Sequence, residues 1–176
     1  IERIGPKRCK YFGTLDATKG YYQAPLAESS KHLTAFITPG GLYEWNRVAM
    51  GLRGAPSYFQ KAMATEVLNG LIGNICELYL DDIIIFGKTE EEFRDNVETI
   101  LQRLLDKNIF INPDKCMLGL TQIEYVGHTI SENGVEFSRE KLNKVVQINL
   151  PTRAKDLKSF LGLANYFRTH VRDHSI

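Results

Sequence analysis

Leu78-Tyr79-Leu80-Asp81-Asp82-Ile83-Ile84-Ile85-Phe86 sets two adjacent carboxylates between two apolar runs. Short apolar runs of this kind read as buried strands. Aspartate is depleted in strands, so the doublet marks the tight turn of a hairpin. The stretch therefore predicts a hairpin whose tip holds two negative charges on the rim of a sheet. Like charges held together disfavour each other's ionisation unless a cation neutralises them. A hard divalent cation such as Mg2+ takes carboxylate oxygens and keeps positions open for substrate phosphates. Acidic two-residue turns are also common in solvent-exposed hairpins. The doublet alone leaves both readings open.

A third carboxylate lies upstream, in Tyr11-Phe12-Gly13-Thr14-Leu15-Asp16-Ala17-Thr18-Lys19-Gly20-Tyr21-Tyr22-Gln23. Asp16 closes a short apolar run and precedes a polar, glycine-containing turn, so a strand end is its natural place. Asp16 could simply begin that turn. If the two strands are neighbours, Asp16 and Asp81 can share a pair of metal ions, the usual clamp for in-line phosphoryl transfer.

The remaining pattern supplies a frame for these carboxylates. Ala35-Phe36-Ile37-Thr38 and Leu42-Tyr43-Glu44-Trp45 flank Pro39-Gly40-Gly41, a hairpin signal. Pro56 opens a helix at an early position, with Phe59, Ala62, Met63 and Val67 as its core stripe. The preceding Gly51-Leu52-Arg53-Gly54 loop allows close backbone approach, and the helix start behind it offers free N–H donors. Thr89 caps a helix reaching about Asn108, with Glu90-Glu91-Glu92 at its positive end. Phe93, Val97, Ile100, Leu101 and Leu104 form its apolar face. Strand-like runs follow at Ile123–Ile130 and Gly134–Phe137. Ser138 caps a helix to about Ile148. Thr152 caps another, bearing Leu157, Phe160, Leu161, Ala164, Phe167 and Val171, a stripe with little left in the chain to pack on. Strand, hairpin, helix, hairpin, helix, hairpin, helices is an α+β order, an antiparallel sheet backed by helices.

Composition narrows the function. A chain of 176 residues allows one core with an appendage, and 43% hydrophobic content suffices for a globular one. A net charge of +1 gives no overall basic field for nucleic acid. Charge is nevertheless segregated. Between Arg139 and Arg172, Arg139, Lys141, Lys144, Arg153, Lys155, Lys158, Arg168 and Arg172 face only Glu140 and Asp156, so the rest is acidic. A basic arm beside an acidic centre suits a phosphate backbone passing a metal site, though a solvated helix face explains it equally well. Cys9, Cys76 and Cys116 are too far apart for a zinc site. Their odd count suits a reducing compartment, and Cys76 and Cys116 are expected in the core. No signal-peptide pattern and no membrane-length apolar run is present, so no membrane partner is expected.

Six segments, in order, resemble the reverse transcriptases of gypsy-class long-terminal-repeat retrotransposons. Leu15-Asp16-Ala17 through Tyr21 and Gln23 resembles the first catalytic motif. Gly51 through Gln60 resembles the second, and Tyr79-Leu80-Asp81-Asp82 the third. Ile111-Asn112-Pro113-Asp114-Lys115-Cys116 resembles the lysine-bearing fourth. Tyr125-Val126-Gly127-His128 resembles the primer-gripping hairpin, and Leu157 through Arg168 the segment that follows. The chain departs from many such elements at Ala49-Met50, where they carry Pro-Phe.

The resemblance implies the palm of a right-hand polymerase over residues 1–137, with part of the fingers at about 26–47. It implies the start of the thumb or connection over 138–176, and a piece of a longer polyprotein with protease, ribonuclease H and integrase domains as partners. It implies RNA-directed DNA synthesis from dNTPs on a primed RNA or DNA template, with two Mg2+ ions or Mn2+. Asp16, Asp81 and Asp82 are the implied catalytic residues, and the Ala17 carbonyl joins them as metal ligands. Tyr21 is the implied gate against the ribose 2′-hydroxyl, Lys115 the proton donor to pyrophosphate, and Met50 and Gly51 further nucleotide contacts. Leu80, Val126, Gly127 and His128 are the implied primer contacts. A virus-like particle in the cytoplasm, with the product complex reaching the nucleus, is the implied location. An RNA-dependent RNA polymerase palm shares the carboxylate geometry, but Tyr21 and the match at Leu157–Arg168 argue against it. A domesticated or decayed fragment that only binds nucleic acid or protein remains the reading from another class.

Overall fold

The computed structural model describes residues 3–137 and 151–166. It divides into two compact units, Ile1–Ser138 and Arg139–Ile176. The helix expected from Ser138, most of the basic arm, and the stripe positions Phe167 and Val171 lie outside the described residues.

The first unit is built around a four-stranded antiparallel sheet. Its strands are β1 (Tyr11–Asp16), β4 (Cys76–Tyr79), β5 (Asp82–Gly87) and β6 (Met117–Leu120), in the order β4-β5-β1-β6. Strands β2 (Phe36–Thr38) and β3 (Gly41–Tyr43) form the expected ribbon. In the third sheet, β7 (Gln122–Tyr125), β8 (His128–Ser131) and β9 (Gly134–Phe137), the apolar run from Ile123 to Ile130 is split into two strands by the hairpin that the resemblance implies at Tyr125–His128. Val126 and Gly127 have φ of 48° and 74°, so the chain turns there and Tyr125 faces His128 across a tight hairpin. Strand β6 had no counterpart in the sequence reading.

Alternation of side chains gives the central sheet two buried faces. Leu15, Ile83 and Ile85 point one way, into a core with Phe59, Met63, Val67, Phe93, Ile100 and Leu104. These residues come from α2 (Ala55–Ala62), its π-helical continuation Met63–Val67, and α3 (Glu90–Asp106). Phe12, Ile84 and Phe86 point the other way, against Ile123, Tyr125 and Ile130 of the three-stranded sheet. Both faces of β5 are covered, which is why Ile83 to Phe86 reads as an unbroken apolar run rather than an alternating one. Burial pushes the Cys76 thiol up to about 12, so it is a core residue with no thiolate chemistry near neutral pH. Cys116 is only partly buried.

Local signals account for the helices. Pro56 sits in the first turn of α2. Thr89 caps α3, its hydroxyl accepting from Glu92 N–H at 3.1 Å. The face of α3 is narrower than its spacing suggests: Phe93, Ile100 and Leu104 are buried, whereas Leu101 and Leu105 are exposed. A short helix, α1 (Glu28–Lys31), was not anticipated.

In the second unit, α4 spans Ala154–Tyr166. Leu157 N–H donates to Arg153 O at 3.0 Å, so the capping position is Arg153 rather than Thr152. Leu157, Phe160 and Leu161 are exposed. No helix among the described residues is long and apolar enough to cross a membrane.

Candidate active site

Strand β1 ends on Asp16 and β5 begins on Asp82, and the two are register partners. Both continue the sheet face of Phe12, Ile84 and Phe86 past the point where its apolar cover ends. They open into a cleft of about 250 Å³, lined also by Thr14, Lys115, Met117, Glu124, Tyr125 and Val126. Lys115 Nζ lies 3.4 Å from Asp16 Oδ2, across 99 residues of sequence. The ammonium side chain is 63% exposed and the carboxylate 19%, so the cation approaches from the solvent side. Burial raises the Asp82 carboxyl above its ordinary value; the charges of Asp81 and Asp16 push it further up and Lys115 opposes them. That is the response of a carboxylate drawn out of water first, and set among other carboxylates second.

Asp81 sits in the turn itself, between β4 and β5. Its carbonyl accepts from Ala17 N–H at 3.1 Å, stitching the doublet to the residue after Asp16. A Cβ on Gly20 would lie 3.2 Å from Asp81 Cβ, so glycine permits this approach. Leu80 precedes Asp81 with φ of 57°, a conformation costly for a residue with a Cβ. Gln60 of α2 bridges it: Leu80 N–H donates to Gln60 Oε1, and Gln60 Nε2 donates to Leu78 O.

Tyr21 packs edge-on against Phe59 at 5.6 Å, rather than on Tyr22, which pairs with Trp45 at 5.4 Å. Burial first, and the Asp81 charge second, raise the Tyr21 phenol above its ordinary value. Tyr21 thus lies within reach of the Asp81 charge. The Ala17 carbonyl accepts from Gly20 N–H at 3.2 Å and keeps a second lone pair. Val126 lines the cleft at the β7–β8 turn; Gly127 completes that turn, and His128 Nδ1 lies 3.1 Å from Val126 O. Met50 and Gly51 are in an exposed turn before α2, outside the lining of this cleft. Gly51 has φ of 94°, which suits glycine.

Sequence reasoning missed Tyr125 as a site residue. It is buried, and its hydroxyl donates to Asp82 O at 3.0 Å. Gln23 and Gln60 lie within the first and second motifs, and both bond to backbone beside the carboxylates. Nothing in their spacing shows that an amide side chain will face a strand end.

Among the described residues, no three His, Cys, Asp or Glu side chains gather into a group that could hold a metal ion. The cross-strand pair Asp16 and Asp82 is instead an open set of hard oxygens. Its crowded negative charge suits a hard divalent cation that fills its other positions with water and substrate phosphate.

Comparison with solved structures identifies the architecture. The foamy viral protease-reverse transcriptase dRH in complex with ds DNA superimposes with a TM-score of 0.84 at 28% identity, over 96% of this chain and 29% of that one. The foamy viral protease-reverse transcriptase in complex with RNA/DNA hybrid gives 0.75 at 28% identity, over 92% of this chain and 22% of that one. The antiparallel sheet backed by helices is the palm of a right-hand polymerase. The chain is 37% identical over 166 residues to the retrovirus-related Pol polyprotein from transposon gypsy of Drosophila melanogaster, covering 94% of this chain. It is 42% identical over 171 residues to the enzymatic polyprotein of Soybean chlorotic mottle virus. It spans 16% of the first of these polyproteins and 24% of the second. Residues 4–130 match the reverse transcriptase (RNA-dependent DNA polymerase) family, and the chain belongs to that family.

Proposed function

We propose that this chain carries the polymerisation centre of a retrotransposon Pol polyprotein, extending a DNA primer on an RNA or DNA template. The observation that carries this reading is the register pairing of Asp16 with Asp82, with Asp81 in the adjoining turn and Lys115 opposite.

In the proposed reaction the primer 3′-hydroxyl gives its proton to solvent and attacks the α-phosphorus of a dNTP; a new P–O bond forms, the bond to the bridging oxygen breaks, and pyrophosphate leaves. Asp16, Asp81 and Asp82, with the Ala17 carbonyl, would hold two Mg2+ ions, or Mn2+. When bound, such ions lower the pKa of the attacking hydroxyl and neutralise charge on the leaving oxygens. The protein's own groups do the rest. The carboxylates fix where positive charge can sit. Lys115 holds a proton at Nζ on the cleft side, where it can be handed to the leaving pyrophosphate. Tyr21 fills space beside the doublet, where a ribose 2′-hydroxyl would collide with its ring. Leu80, next to the doublet, and the Val126-Gly127-His128 turn, whose Val126 lines the cleft, would fix the primer end. Alignment of this kind supplies much of the rate in nucleotidyl transfer, because it removes the entropy of bringing the reactants together.

Met50 and Gly51 are assigned to the nucleotide on motif position alone. The proposal extends to a virus-like particle in the cytoplasm, and to protease, ribonuclease H and integrase domains as neighbours in one polyprotein. The complexes of the foamy viral enzyme with ds DNA and with RNA/DNA hybrid support a primed duplex as the substrate class.

Primer extension on an RNA template, with Mg2+ and dNTPs, tests the reading in the polymerase that contains this chain. Asp16→Asn and Asp82→Asn should each abolish extension while leaving the thermal transition cooperative. Extension at the unsubstituted rate by either variant would overturn it.

A further inference from the structure

Gln23 joins three segments that carry expected nucleotide contacts. Its Nε2 donates to Thr18 O at 2.7 Å and to Phe110 O at 2.8 Å. Its Oε1 accepts from Phe110 N–H at 2.7 Å. One side-chain amide therefore pairs with both backbone groups of Phe110, 87 residues away, as a neighbouring strand would. The Phe110 carbonyl also accepts from Thr18 N–H at 2.9 Å, and Asn112 N–H donates to Asp16 O at 2.9 Å. Ala17 and Ile111 form an isolated bridge between these contacts. The backbone of Gln23 is used as well: Arg47 Nη1 donates to its carbonyl at 2.9 Å.

The consequence is a shared anchor. On one side runs the turn Gly20–Gln23, which presents Tyr21. On another runs the stretch from Phe110 to Lys115, whose ammonium reaches Asp16. On the third, Arg47 lies three residues before Met50. Ile109 and Ile111 pack against the core, whereas Phe110 between them is 69% exposed. The polar clamp therefore fixes the backbone at Phe110, where its own side chain does not.

We infer that Gln23 is a positioning residue for nucleotide selection, setting Lys115 against Tyr21 so that phosphate and sugar of one dNTP are read together. This rests on the polymerase reading above. Gln23 touches none of the three carboxylates in the bonds described, so its loss should act on nucleotide recognition rather than on the carboxylate centre. Gln23→Met keeps length and volume and removes all three side-chain bonds. Gln23→Glu keeps an acceptor for Phe110 N–H but sets an anionic oxygen against the Thr18 and Phe110 carbonyls.

Two measurements test this. In the polymerase containing this chain, Gln23→Met should raise the dNTP KM roughly tenfold, the scale of one lost hydrogen bond in a partly buried site. It should lower discrimination against ribonucleotides, and leave kcat and the primer–template KM within about threefold. An unchanged dNTP KM and unchanged sugar discrimination would overturn the inference, as would an equal loss in every parameter. The second measurement needs no activity. Hydrogen exchange at the Phe110 and Thr18 amides should quicken at least tenfold in Gln23→Met. In Gln23→Glu it should quicken less at Phe110 than at Thr18. Unaltered exchange at both amides would show that Gln23 anchors nothing. If the unsubstituted polymerase fails to extend primers while these amides behave as expected, the polymerase reading fails and the anchor stands.

Discussion

The Tyr125 hydroxyl donates to the backbone carbonyl of Asp82 at 3.0 Å, so the three-stranded sheet holds the first residue of β5 in place. Burial, followed by the charge of Asp82, raises the Tyr125 phenol above its ordinary value, so it remains a donor throughout the working pH range. Tyr125→Phe keeps the ring in the core and deletes the donor. Because Asp82 O then loses a partly buried partner, the change should cost about 1 kcal/mol in urea denaturation. Primer extension should fall more than stability accounts for, by about tenfold. A variant as stable and as active as the parent would show that the bond positions nothing.

The Asp82 carboxyl is raised by burial, then by Asp81 and Asp16. A raised folded value means that the native state holds the proton more tightly than the unfolded chain. Ionisation of Asp82 therefore subtracts stability as pH rises from the ordinary aspartate range through the folded value. Asp82→Asn removes this term. The variant should be more stable than the parent at neutral pH, and the gap should close as pH falls below the ordinary value of 3.8. Thermal unfolding at several pH values, without divalent cations, measures the difference. A gap that widens in acid would mean the sign is wrong.

Gln60 supports the left-handed Leu80 by bonding its N–H and the Leu78 carbonyl. Gln60→Met should strand both groups and cost about 1–3 kcal/mol. Leu80→Gly in the Gln60→Met background should restore about 1 kcal/mol, since glycine adopts this φ freely. Chemical denaturation of the single and double variants decides it; no recovery would indicate that the turn is unstrained.

A Cβ on Gly87 would lie 2.6 Å from Phe93 N and 2.7 Å from Phe93 Cα. The obstacle is helix backbone, which cannot rotate away. Gly87→Ala should cost more than about 3 kcal/mol, at the upper end of overpacking penalties, and depress soluble expression. Gly54→Ala meets nothing within 4 Å and should be tolerated. Equal stability of the two variants would contradict this contact.

Asp16 ends β1 and the doublet lies at the β4–β5 turn, as the sequence pattern predicts, whereas their surroundings are not legible in it. Asp16 and the doublet were legible because each interrupts an apolar run, and strand ends are the one place such residues fit. Strand β6 was not, for a physical reason. Met117-Leu118-Gly119-Leu120 contains no β-branched residue, and Gly119 has φ of 74°. The strand pairs with β1 only through a register shift between Phe12 and Thr14. Spacing alone puts Leu101 on the core face, but spacing cannot tell how wide a face the sheet will cover. Thr152 looked like a cap by residue type, yet the helix starts one residue later than that requires. The approach of Lys115 to Asp16 follows from the Ala17–Ile111 bridge and the Asn112 N–H bond to Asp16 O, together with β6 lying beside β1, none of which spacing along the chain shows.

The order β4-β5-β1-β6 also bears on how the protein comes to exist. Strand β1 precedes both of its partners, β5 and β6, by many residues. Neither flank can be satisfied until loop closures of high entropic cost have occurred. Pairings of this range make for slow folding. Helices α2 and α3 can form while Asp16 and Asp82 are still far apart. In a refolding experiment, helical signal should return well before any property that needs the carboxylates together. During synthesis, β1 must wait with an open edge on each side, the stage at which the chain is most vulnerable to pairing with another copy of itself.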